Sequence, residues 1–177
     1  MPIDIIGLGD IPLMQINTKQ FFLRGLDLDI LAEEVLKTGS DATARISNDK
    51  TTTGAEFEDT YFEYGPETKK FIDCIISIAD TLGMELINRI WAQVHRPFES
   101  CNLHDHLGGP DLGFVFYVRV PQGAGKLYFD FGNAGVATLM PIENMLVIFP
   151  SYLKHGVTKN LSSDLRISIA GDLRKKI

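Results

Sequence analysis

Apolar positions recur at two spacings, helical in the first half of the chain and alternating in the second. Leu28, Leu31, Val35 and Leu36 share a helical face. Asp27 and Asp29 suit the start of that helix and Gly39 its end. A second helix is predicted from Pro66, a residue at home in a first turn, through Phe71, Ile72, Ile75, Ile76, Ile78, Ala79 and Leu82 to Gly83. Ile11-Pro12-Leu13 and Phe21-Phe22-Leu23 read as short strands ahead of the helices. The polar stretch from Ser40 to Thr60 reads as a long loop, of the kind that serves as a lid or a solvated connection.

From Glu85 the pattern becomes β-rich. Strands are predicted over Leu86 to Val94, Phe114 to Val120, Lys126 to Phe131, Asn144 to Phe149 and Leu165 to Ala170, the last stopped by Gly171. Two amphipathic helices followed by short, Gly/Pro/Asn-punctuated strands predict an α+β, mainly β protein. Its strands form a sandwich or jelly roll and its helices pack on one outer face. No repeat or linker interrupts the 177 residues, so a single domain is expected. Residues 1–84 would form helical support and loops, and residues 85–173 the β core.

Composition narrows the function classes. The chain is 45% hydrophobic and 23% charged, an ordinary globular balance, with no apolar run long enough for a membrane span. The N-terminal residues Met1-Pro2-Ile3-Asp4 lack a basic leader, which with the cysteine count leads to the expectation of a cytoplasmic protein. A net charge of −6 does not steer it toward nucleic acid. Arg174-Lys175-Lys176 is the one dense basic cluster and reads as a solvated tail. The two cysteines are too few for a disulfide scaffold: Cys74 falls on the second helix as a core residue, and Cys101 lies near the histidines.

The chemistry concentrates in Asn102-Leu103-His104-Asp105-His106, His155 and Arg166. On a strand, His104 and His106 point to one face and can share an ion, with Asp105 pointing away; a turn there would let Asp105 replace one of them. His155 follows the strand ending at Phe149-Pro150 and can complete an open three-ligand site of the kind used in oxygen chemistry. On the next strand Arg166, Ser168 and Ala170 share a face, and Ile167 and Ile169 the other. An arginine facing a barrel interior requires an anion, and a carboxylate fits it bidentately. His95 receives no role and reads as a strand-end surface residue.

With Trp91-Ala92-Gln93, Asn102-Leu103-His104-Asp105-His106, Phe114-Val115-Phe116-Tyr117-Val118, Phe149 to His155 and Arg166-Ile167-Ser168 in place, the sequence resembles the iron(II)/2-oxoglutarate-dependent oxygenases. The narrower likeness is to their small prolyl-hydroxylase-like branch in bacteria and tailed phages. The resemblance covers roughly Ile90 to Leu173. It implies a double-stranded β-helix, a cupin-like jelly roll. It implies Fe(II) as metal and 2-oxoglutarate and O2 as co-substrates, in a dioxygenase that hydroxylates a prolyl or other side chain, or a small molecule. His104 and His155 would be iron ligands. Arg166, with Ser168 beside it, would clamp the far carboxylate of 2-oxoglutarate, and Tyr117 falls where related enzymes place a tyrosine on that carboxylate. The family pattern is His-x-Asp/Glu, whereas His106 stands at the third ligand position; Asp105 and the more distant Asp111 are the alternative carboxylates. Two rival readings use the same residues: a cupin-like metal-binding barrel without 2-oxoglutarate, and a non-catalytic structural or virion accessory protein that kept the fold. The pattern leaves a homodimer open.

Overall fold

The computed structural model describes residues 3–13, 16–39, 43–44, 52–53 and 64–177. β1 (Asp4–Leu13) and β2 (Ile16–Arg24) pair antiparallel and run well beyond the short apolar stretches that predict them. Ladder pairing carries the strands across Gly7, Gly9 and Asp10, residues that local propensity keeps out of strands. α1 (Leu28–Gly39) begins as expected, with Asp27 Oδ1 accepting the Ile30 N–H at 3.1 Å.

α2 (Pro66–Thr81) has Pro in its first turn, but its N-cap residue Gly65 has no side chain to cap with. Glu34 of α1 supplies the cap instead. Its carboxylate accepts the Glu67 N–H at 2.9 Å, the Thr68 N–H at 2.7 Å and the Thr68 hydroxyl at 2.6 Å. A Cβ on Gly65 would lie 2.2 Å from Glu34 Cδ, so the cap needs glycine there.

Of the polar stretch predicted as a loop, β3 (Thr43–Ala44) and β4 (Thr52–Thr53) form two short strands that extend the sheet beside β5 (Met84–His95). The rest of the Ser40 to Thr60 lid candidate lies outside the described residues. β7 (Leu112–Arg119), β8 (Leu127–Asp130) and β10 (Met145–Pro150) coincide with predicted strands. β6 (Cys101–His104), β9 (Val136–Leu139) and β11 (His155–Val157) are three or four residues long, too short to carry a periodic signal.

β12 (Arg166–Lys175) corrects the predicted stop at Gly171. The strand continues because it is paired on both sides, to β5 with a register shift at Gly171 and to β7 straight through it. Glycine is needed at that bulge: a Cβ there would come within 2.5 Å of Phe114 Cζ. The basic cluster is therefore the end of a strand rather than a free tail. Arg174 pairs with Glu85 at 2.6 Å and Lys176 with Asp80 at 2.8 Å.

The strands form two sheets, ordered β1-β2-β10-β7-β12-β5-β4-β3 and β6-β11-β8-β9. One apolar cluster lies between the larger sheet and the helices. It holds Leu31, Val35, Phe71, Phe116, Ile167 and Ile169, with the Phe71 and Phe116 rings 4.8 Å apart. A second cluster, with Val115, Tyr117, Phe129, Val147 and Phe149, fills the space between the sheets. β12 splits as the sequence predicts: its isoleucines face the helices, and Arg166 and Ser168 face the space between the sheets. Each buried aliphatic or aromatic side chain contributes about 1.5–3 kcal/mol, so both faces of the large sheet are held by apolar burial. The candidate pocket opens between the two sheets.

Candidate active site

Both sheets contribute to one cavity, lined among others by Trp91, Gln93, His104, His106, His155 and Arg166. His104 ends β6 and His155 begins the antiparallel β11, and the two are direct register partners. His106 follows two residues after β6, where its backbone N–H donates to the Ser151 carbonyl at 3.0 Å. The three histidines each bring one ring nitrogen within 4.8 Å of the others, close enough to share an ion. Their ring centroids are 4.3 to 5.3 Å apart.

Each imidazole is held in the same tautomer by an acceptor at Nδ1. His104 Nδ1–H donates to the Asn102 carbonyl, His155 Nδ1–H to the Leu153 carbonyl and His106 Nδ1–H to Asp172 Oδ1, each at 2.8 Å. All three therefore present a bare Nε2 lone pair. His106 Nε2 is buried and has no hydrogen-bond partner among the described residues. Burial holds His104 below the usual imidazole range. For His155, burial and the neighbouring His104 push it down to about 3. The three imidazoles are preorganised around one point and two of them are held uncharged, which fits a divalent metal.

Arg166 occupies the other end of the cavity and is completely buried. Its Nε–H donates to the Gly125 carbonyl at 3.2 Å, and one terminal nitrogen donates to Ser168 Oγ at 3.1 Å and to His95 Nδ1 at 3.3 Å. Its other terminal nitrogen and the Tyr117 hydroxyl are both buried and lie against one another without a well-formed hydrogen bond. The guanidinium carbon sits 5.3 Å from the centre of the Tyr117 ring. Among the described residues no carboxylate meets Arg166. Burial pushes the Tyr117 phenol up to about 12, so it stays a neutral O–H donor. Two unsatisfied donors, one of them cationic, make a seat for a carboxylate.

His95 corrects the surface reading. It is fully buried, and burial beside the Arg166 charge holds its pKa well below the usual value. A neutral His95 accepts from Arg166 at Nδ1 and so fixes the guanidinium. Nothing in the local sequence signals this; it follows from the pairing of Arg166 with His95 across β12 and β5. Cys101 lies where expected, its sulfur 3.7 Å from His104 Nδ1.

The alternative carboxylates are engaged elsewhere. Asp105 Oδ1 accepts the Leu107 N–H at 3.3 Å, and Asp111 Oδ2 accepts the Lys175 N–H at 2.7 Å. The carboxylate that does reach the histidines, Asp172, lies beyond the point where the strand was expected to stop. It continues the inward row of Arg166, Ser168 and Ala170, so extending the alternation one step, two residues past Ala170, would have found it.

Residues 129–172 match the family model described as a putative 2OG-Fe(II) oxygenase. That segment contains His155, Arg166, Ser168 and Asp172. No curated protein matches the sequence. Among solved structures, a Pseudomonas putida prolyl-4-hydroxylase is 16% identical, with 93% of this chain and 96% of that chain covered and a TM-score of 0.64. A Trichoplax adhaerens prolyl hydroxylase, in complex with a peptide fragment of the hypoxia-inducible factor oxygen degradation domain, is 15% identical. It covers 84% of this chain and 78% of that chain, with a TM-score of 0.66. The non-haem α-ketoglutarate-dependent carbocyclase SnoK of nogalamycin biosynthesis is 12% identical, covering 93% and 81% with a TM-score of 0.65. Over the chain the fold is the double-stranded β-helix shared with these oxygenases, and residues 129–172 match the model of the putative 2OG-Fe(II) oxygenases.

Proposed function

We propose that the protein is an iron(II)- and 2-oxoglutarate-dependent dioxygenase that hydroxylates an unreactive C–H bond. One observation carries the reading: a single cavity joins three imidazoles, each with a ring nitrogen close to the others, to Arg166, whose outer terminal nitrogen is buried without a partner next to the Tyr117 ring. Iron(II) with 2-oxoglutarate supplies O2-driven oxidation of a C–H bond, with release of succinate and CO2.

The chain's own residues divide the remaining work. His104, His106 and His155 hold the metal on one face through Nε2. Arg166 and Tyr117 seat the far carboxylate, and Ser168 and His95 keep the guanidinium aimed, so the co-substrate is oriented before reaction. Trp91, Val115, Leu127 and Phe149 wall the cavity with apolar surface and exclude water. No general base is required. The fold likeness to two prolyl hydroxylases favours a peptide side chain as substrate, and the carbocyclase likeness makes a small molecule the alternative.

The test is an anaerobic titration of metal-free protein with iron(II), then 2-oxoglutarate, following the visible charge-transfer band of a chelated 2-oxo acid. The band is expected in the wild type, absent in His155→Ala and weakened in Arg166→Ala. Metal binding without a band would transfer the site to the cupin-like reading.

A further inference from the structure

We propose that Asp172 is the charge-compensating positioning residue of the metal site, acting on the ion through His106. The inference rests on the reading of the three histidines as metal ligands. Three imidazoles bring no negative charge to a divalent cation. Two of them are anchored on neutral carbonyls, of Asn102 and Leu153. His106 alone is anchored on a carboxylate, at 2.8 Å, with the two side chains 11% and 12% exposed. A carboxylate hydrogen-bonded to the far nitrogen of a ligating imidazole makes that imidazole a stronger donor and fixes its plane.

The fold is shaped around this contact. Asp172 reaches the inner face past the bulge at Gly171 and is the register partner of Gly113 on β7. Gly113 leaves room for the Phe149 ring, 3.2 Å from where a Cβ would lie, and that position is in ordinary contact distance, 3.8 Å, of His106 Nδ1. Asp172 makes no ion pair with a lysine or arginine among the described residues. A buried carboxylate held only by an imidazole is costly to desolvate, and that cost is offset when a cation sits on the other side of the ring. β12 thus carries an anion-seeking residue, Arg166, at one end of the cavity and a cation-seeking residue, Asp172, at the other.

The experiment measures Co(II) affinity and its ligand-field spectrum in wild type, Asp172→Asn, Asp172→Glu, His106→Asp and His106→Asp/Asp172→Asn, with the fold of each checked by circular dichroism. Asp172→Asn keeps an acceptor for His106 and removes only the charge. It should weaken Co(II) binding roughly 10–100-fold, and Asp172→Glu should recover most of that loss. In the His106→Asp background the carboxylate has moved onto the metal, so Asp172→Asn should leave binding unchanged or tighten it. Wild-type affinity in Asp172→Asn, or equal weakening in both backgrounds, overturns the proposal. No Co(II) binding by wild type overturns the metal-site reading beneath it.

Discussion

The hydroxyl of Tyr117 shows how a single group can serve a ligand at the expense of the fold. It is buried, neutral and makes no well-formed hydrogen bond, lying only against Arg166. A buried hydroxyl left unpaired costs about 1–3 kcal/mol, and a hydrogen bond to a charged group is worth a similar amount when made. Tyr117→Phe should therefore be at least as stable as wild type in urea unfolding while binding 2-oxoglutarate roughly 10- to 100-fold more weakly. Unchanged co-substrate affinity would remove Tyr117 from the site. The residues that point to this chemistry in the sequence, His104, His106, His155 and Arg166, are those whose side chains have few structural uses in a barrel interior. His95 and Asp172 escape that logic because their local sequence gives them ordinary surface roles, and only strand pairing puts them beside Arg166 and His106.

At the scale of elements, one glycine and one glutamate decide how the pieces fit. Glu34 caps α2 from α1, and the hydrogen bonds from Thr68 and Glu67 outweigh the opposing effect of burial, holding its carboxyl below the usual range. Glu34→Ala should lower stability by about 1–2 kcal/mol, the usual worth of an N-cap, read as a shifted urea midpoint with unchanged m-value. Gly171→Ala would drive a methyl group into the Phe114 ring and the Ile90 side chain. It should cost about 1–3 kcal/mol, whereas Gly109→Ala, with nothing within 4 Å, should unfold within about 0.5 kcal/mol of wild type. Equal effects at the two glycines would mean that β12 is not pinned at its bulge.

For the whole molecule, burying uncharged histidines links the site to acid stability. His95 and His155 are held below their ordinary value, His155 at about 3, so the unfolded chain takes up protons first as the pH falls. Stability is then full above the ordinary imidazole value and falls as pH drops through it toward the folded value. In the metal-free protein stability should fall by roughly 1 kcal/mol for each such histidine between pH 7.5 and 5.5. Urea unfolding at the two pH values measures it, and His95→Gln should remove about half of the drop. A pH-independent midpoint would show that these imidazoles are not buried uncharged.

The sequence by itself determined the two helices, the strands on either side of the buried core, the sidedness of β12 and the three histidines with Arg166. These follow from periodicities of 3.6 and 2 and from the cost of placing imidazole and guanidinium groups in an apolar interior without a ligand. Tertiary structure alone decided the rest. The three-residue β11 exists because its register partners on β6 and β8 hold it, and that pairing sets His155 beside His104. β12 runs past Gly171 because neighbours on both sides satisfy its backbone, and only then does Asp172 reach His106. Short strands, bulges and second partners of ligands depend on residues far away in the chain, so no local pattern encodes them.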